Sequence, residues 1–181
     1  MNPLKTIETL VDDPAALLAA ERPAGLGRTG LLGYAAGTLG FFLFLRFFSA
    51  VPPGAISFLV VLGFVLAFNL FFAGLIHLFL DLTGARGSSA RLFLAFGCSD
   101  LLLALLVPLA FFAKLGYING FLALCLCFLA VIYARVRLVR RLYSVSANKA
   151  LLAVWLPYAG LSAVLFTAFA YSIAWLVWLV L

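Results

Sequence analysis

The feature that most constrains this chain is a series of five apolar runs, each long enough to cross a lipid bilayer as a helix. They cover residues 30–50, 54–80, 92–113, 117–136 and 154–181. A spanning helix needs about 20 apolar residues to cross about 30 Å of hydrocarbon. Only 10% of the residues are charged, against about 25% in ordinary soluble domains. The sequence therefore predicts an all-α polytopic membrane protein in which residues 30–181 form a compact bundle of five transmembrane helices.

Residues 1–29 form a separate N-terminal segment. Four acidic residues lie where a signal peptide would have its basic head and apolar centre, so cleavage is not expected. Asn2 and Asp13 each precede a proline, a pattern typical of helix starts. We predict two short helices here, lying in the cytoplasm or on the membrane surface.

The basic residues predict the orientation of the bundle. With the N-terminus inside, ten of the twelve basic residues lie at the inner face: Lys5, Arg22, Arg28, Arg86, Arg91, Arg135, Arg137, Arg140, Arg141 and Lys149. Only Arg46 and Lys114 remain at the outer face. Because short loops rich in Lys and Arg stay in the cytoplasm, we predict an N-in, C-out topology. The net charge of +6 is thereby explained without nucleic-acid binding.

Small residues recur at helical spacing in several runs. The first run carries Gly30, Gly33, Gly37 and Gly40, and the last carries Gly160, Ala163, Thr167, Ala170 and Ala174. Such stripes let helix backbones approach closely, which is a main source of packing within lipid. We expect these stripes to pack inside the bundle; a homo-oligomer interface is the alternative.

A polar layer is predicted in the middle of the bundle. At 1.5 Å per residue, Asp100, Asn69, Thr38 and Thr167 all lie about 14 to 17 Å from the inner ends of their helices. A carboxylate this deep in an apolar run is unusual and indicates a specific role. We expect Asp100 to be neutral and hydrogen-bonded to Asn69. It either holds helices together or carries a proton or cation.

Two further groups of polar residues lie at the predicted inner face. His77 and Asp81 are spaced four residues apart on one helix, which favours an interfacial pair. Arg135, Arg137, Arg140 and Arg141 form a cytoplasmic basic surface. This surface anchors the topology and, as an alternative, binds anionic lipid headgroups or a cytoplasmic protein.

No catalytic or metal site is expected. A single histidine excludes an HExxH zinc site, and no Gly-x-Ser-x-Gly motif is present. Cys125 and Cys127 point to nearly opposite sides of a helix, so they are interpreted as packing residues rather than metal ligands. We expect no cofactor.

Two segments resemble the Yip domain family of five-span membrane proteins. Residues 83–108, TGARGSSARLFLAFGCSDLLLALLVP, are similar to the glycine-rich turn and third span of that family. Residues 143–157, YSVSANKALLAVWLP, are similar to its approach to the last span. The resemblance departs at FGCSD, where Asp100 stands in the place of a proline. It implies a cytoplasmic N-terminus, and the short N-terminal region favours a bacterial inner-membrane member.

The sequence thus favours a non-catalytic membrane scaffold or partner-binding protein of the Yip-like type, involved in membrane organisation or trafficking-like processes. Its expected partners are the lipid bilayer and an unidentified membrane or cytoplasmic protein. The alternative function is a small oligomeric transporter or channel that uses Asp100 as its proton or cation site.

Overall fold

A computed structural model describes Glu8 and residues 23–180, with side chains for Glu8 and from residue 26 onward. The described part is all-helical. Its elements are α1 (Pro23–Phe47), α2 (Ala55–Leu82), α3 (Ser89–Asp100), a 3-10 segment (Leu101–Leu105), α4 (Leu106–Lys114), α5 (Gly120–Leu142) and α6 (Ala147–Val180). Because α3, the 3-10 segment and α4 form one continuous unit, the described residues contain five helices long and apolar enough to cross a membrane. This number confirms the prediction.

Two helix starts differ from the sequence prediction. The first helix already begins at Pro23, inside the segment 1–29 that was predicted to be separate. The last helix begins at Ala147 instead of residue 154 and continues through Pro157, which is buried. Its first turns contain polar residues that the hydropathy pattern excluded. The two short helices predicted before α1 lie outside the described residues, apart from Glu8, which is helical.

The glycine stripe of α1 packs directly against the backbone of the third unit. A Cβ atom at Gly30, Gly33, Gly37 or Gly40 would overlap the carbonyl oxygen of Leu94, Gly97, Asp100 or Leu103, respectively. Side chains larger than hydrogen would therefore push the two helices apart. The expected internal packing is confirmed for this stripe.

The stripe on α6 does not pack inside the bundle, and that prediction is wrong. The buried residues of α6 are Ala150, Ala153, Val154 and Pro157, all in its first half. Every residue from 162 to 180 is exposed. Gly160 has open space where a Cβ atom would lie. We call residues 162–180 the distal part of α6.

Candidate functional site

Asp100 lies at the centre of a buried polar cluster. It is the last residue of α3, and only 2% of its surface is exposed. Its Oδ1 atom lies 2.6 Å from Nη2 of Arg135, and its Oδ2 atom accepts a hydrogen bond of 3.1 Å from Nδ2 of Asn69. The predicted bond to Asn69 is present. The carboxyl group also faces the guanidinium of Arg135, a partner that the sequence prediction did not include.

Arg135 uses nearly all of its donors within this cluster. Its Nη2 atom donates to Asp100 and to Oδ1 of Asn69, at 2.6 and 2.5 Å. Its Nη1 atom donates to the hydroxyl of Tyr158 at 2.7 Å, and its Nε atom to Oγ of Ser99 at 3.3 Å. These four bonds leave one of the five N–H donors of the guanidinium. These hydrogen bonds and the carboxylate of Asp100 thus offset most of the free-energy cost of removing the guanidinium from water.

Aromatic and backbone groups complete the cluster. The guanidinium carbon of Arg135 lies 4.6 Å from the ring centroid of Phe96, a cation–π distance. Asn69 also donates to the carbonyl oxygen of Val65, and Ser99 to that of Phe96. We call Asn69, Ser99, Asp100, Arg135 and Tyr158 the polar core.

The polar core connects four of the five membrane-length units, and the remaining unit packs against it. Asn69 comes from α2, Ser99 and Asp100 from α3, Arg135 from α5 and Tyr158 from α6. The first unit joins through Gly37, whose Cα faces the backbone of Asp100. Because each side chain bonds to a neighbour on another helix, this arrangement fixes which helix faces meet.

The assignment of Arg135 to a cytoplasmic surface is therefore wrong. Arg135 is only 6% exposed and lies on the buried face of α5 together with Val131, Leu138 and Val139. Arg140 and Arg141 are exposed on the other side of the same helix. Helical spacing could have separated Arg135 from its neighbours, because it stands four residues from each of Val131 and Val139.

Of the two threonines predicted in the polar layer, only Thr38 is buried. It is 1% exposed, and its Oγ1 has no hydrogen-bond partner among the described residues. Thr167 is exposed and donates to the carbonyl oxygen of Ala163 in its own helix. Because α6 starts earlier than predicted, Tyr158 takes the place expected for Thr167.

The predicted pair of His77 and Asp81 does not form. The Nδ1 atom of His77 lies 2.9 Å from the hydroxyl oxygen of Tyr143, just beyond α5, whereas Asp81 is exposed. Burial of Tyr143 and the nearby Asp81 carboxylate raise the pKa of its phenol to about 12. The contact of His77 thus joins α2, near its end, to the turn between α5 and α6.

One further contact joins the start of α6 to the end of α2. Lys149, in the first turn of α6, donates from Nζ to the carbonyl oxygen of Thr83, at 2.8 Å. Arg137 lies over the ring of Tyr133, with its guanidinium carbon 5.9 Å from the centroid.

Within the described ranges, no cluster of His, Cys, Asp and Glu could hold a metal ion. No protein-family model, curated protein or solved structure matches this chain.

Proposed function

We propose that this protein is a non-catalytic integral membrane protein that binds a partner through the distal part of α6. It crosses the bilayer five times, with the N-terminus in the cytoplasm of a bacterial cell and the C-terminus outside. Yip-like organisation of the membrane is the role that the two resembling segments suggest. The observation that carries the proposal is that every residue from 162 to 180 is exposed.

The other membrane-length helices each bury one face against the bundle and leave the other for lipid. Residues 162–180 bury no face at all. With 34 residues, α6 is also about 51 Å long, well beyond the roughly 30 Å of hydrocarbon. Its small residues Ala163, Ala170 and Ala174 share one side and permit close approach of another helix. The proposed partner therefore contributes a transmembrane helix.

The polar core supports a structural role for Asp100. Both carboxylate oxygens are engaged, one by Arg135 and the other by Asn69. A transported cation would have to displace a guanidinium that holds four hydrogen bonds. This geometry is better suited to holding helices together than to exchanging ions.

Substitutions on opposite sides of α6 test the proposal. Ala170→Leu enlarges the side with small residues, whereas Ala168→Leu makes the same change on the far side of the helix. We expect Ala170→Leu to reduce a protein co-isolated from native membranes by about fivefold or more, and Ala168→Leu to retain it. Equal recovery with both variants would contradict partner binding through this face. Both positions are exposed, so neither change disturbs the bundle.

The alternative is a small oligomeric transporter or channel. The observation in its favour is the hydroxyl of Thr38, which is buried at the level of Asp100 and has no hydrogen-bond partner in the part of the chain that the structure describes. In this case Thr38→Val and Asp100→Asn would each abolish proton or cation flux in reconstituted vesicles. Absence of flux from the unmodified protein would exclude the alternative.

A further inference from the structure

A groove between α2 and α6 runs along the surface of the bundle. Its volume is about 600 Å³, and apolar side chains form nearly all of its wall. Lining residues include Phe71, Leu78 and Leu82 of α2, and Leu156, Gly160 and Val164 of α6. From Phe71 to Leu82 the groove extends about 16 Å along α2, close to the depth of one leaflet, about 15 Å.

The end of the groove at Leu82 adjoins a fixed cation. Lys149 bonds to Thr83, the residue directly after Leu82. Leu156 and Gly160 follow Lys149 by 7 and 11 residues, so all three residues lie on one face of α6. Lys149 forms no ion pair among the described residues. Its ammonium has three N–H donors and uses one for Thr83, which leaves two for a ligand.

The charges around this end favour an anion. Arg140, Arg141 and Arg86 are exposed at the same end of the bundle. Of the carboxylates in the described residues, only Asp81 lies on α2 or α6, and it is turned about 100° from Leu82 around the helix. An apolar groove one leaflet deep that ends at a cation matches the shape and charge of a phospholipid.

We infer that this groove binds an anionic glycerophospholipid. One acyl chain lies between α2 and α6, and the phosphate accepts hydrogen bonds from the ammonium of Lys149. This inference rests on the membrane placement proposed above but not on the partner of the distal part of α6. It names a defined site where the sequence indicated only a diffuse basic surface.

Two pairs of variants test the site in the full chain. Lys149→Gln removes the cation at the groove. Arg140→Gln is its control, because it removes an equal charge at the same end of the bundle but outside the groove. Gly160→Leu fills the groove, and Gly63→Leu makes the same change elsewhere; a Cβ atom has open space at both glycines. Binding of phosphatidylglycerol and phosphatidylcholine to purified protein in detergent is measured by native mass spectrometry.

We expect the unmodified protein to retain phosphatidylglycerol in preference to phosphatidylcholine. Lys149→Gln should weaken phosphatidylglycerol binding about fivefold, with a smaller effect of Arg140→Gln. Gly160→Leu should lower retention of the lipid, and Gly63→Leu should not. Equal effects within either pair would overturn the site. So would a dimer that Gly160→Leu dissociates without loss of lipid, because a second copy would then occupy the groove. If these lipid experiments fail while Ala170→Leu still lowers partner recovery, the groove site is overturned and the proposed function stands.

Discussion

At the scale of single residues, the ion pair of Asp100 and Arg135 is the main polar interaction in the interior of the bundle. Lone charges at this depth would cost several kcal/mol each in hydrocarbon. Here the two charges compensate each other at 2.6 Å, and neutral groups satisfy most of their remaining hydrogen-bonding capacity. Replacing the whole pair with apolar residues need not destabilise a protein, but removing one partner leaves the other charge buried and unpaired.

We therefore expect both Asp100→Asn and Arg135→Gln to lower the free energy of unfolding by about 3 kcal/mol. The double variant places two neutral amides side by side, so its loss should be smaller than the sum by about 2 kcal/mol. Reversible unfolding in mixed detergent micelles measures these values. Arg141→Gln, at an exposed position, should change stability by no more than about 0.5 kcal/mol. Additive losses would show that the pair does not act as a unit.

Tyr143 provides a pH prediction at the end of α5. Because the pKa of its phenol is raised to about 12 in the folded chain, its proton is lost more readily from the unfolded chain, near pH 10. The contribution of Tyr143 to stability is therefore fully present below pH 10 and decreases as the pH rises from 10 to 12. Tyr143→Phe should remove this part of the decrease. Identical stability profiles for the two proteins between pH 9 and 12 would contradict the prediction.

Part of this residue-level picture could be predicted from the sequence. The depth of Asp100 and Asn69 follows from counting residues along regular helices, and their hydrogen bond confirms that count. Arg135 was missed because arginines near a helix end usually face water, and hydropathy does not distinguish one face of a helix from another. Tyr158 was missed because the start of α6 is polar. The first error concerns which side of a helix faces inward, and the second concerns where a helix begins.

At the scale of elements, the closest contact is between α1 and the third unit. Four glycines at spacings of three and four residues allow the α1 backbone to lie against the carbonyl oxygens of Leu94 to Leu103. This spacing was visible in the sequence. The last stripe had the same spacing without the same packing, because spacing shows that a helix can approach another but does not identify that partner.

A methyl group at Gly37 tests this contact. Its carbon would overlap the carbonyl oxygen of Asp100, so α1 must shift away from the polar core. We expect Gly37→Ala to lower the free energy of unfolding by about 1 to 3 kcal/mol, as overpacking typically does. Gly63→Ala has open space and should cause no loss, since alanine favours helix over glycine. Equal stability of the two variants would mean that α1 does not pack this closely.

At the scale of the whole molecule, the two ends of the bundle differ in charge. Because Arg135 is buried, seven basic residues among those the structure describes remain at the end predicted to face the cytoplasm, against two at the other end. At that other end, Arg46 of α1 donates to the carbonyl oxygen of Val51 in the turn that follows. The asymmetry that predicts N-in, C-out topology thus remains after this correction.

Single cysteines at turns of opposite ends test the orientation. Pro53 and Asn119 lie in the turns before α2 and α5, and Ser88 lies in the turn before α3. All three turns connect membrane-length helices, so adjacent turns must lie on opposite sides if every helix crosses. In a background in which Cys98, Cys125 and Cys127 are replaced by alanine, we expect a membrane-impermeant maleimide to label Pro53→Cys and Asn119→Cys on intact cells. Ser88→Cys should react only after the membrane is opened. The reverse pattern would invert the topology, and labelling of all three on intact cells would mean that the helices between them do not cross. The bond between Lys149 and Thr83 fixes Lys149 at the end of the groove near Leu82. In the inverted case this end of the groove would therefore lie in the outer leaflet.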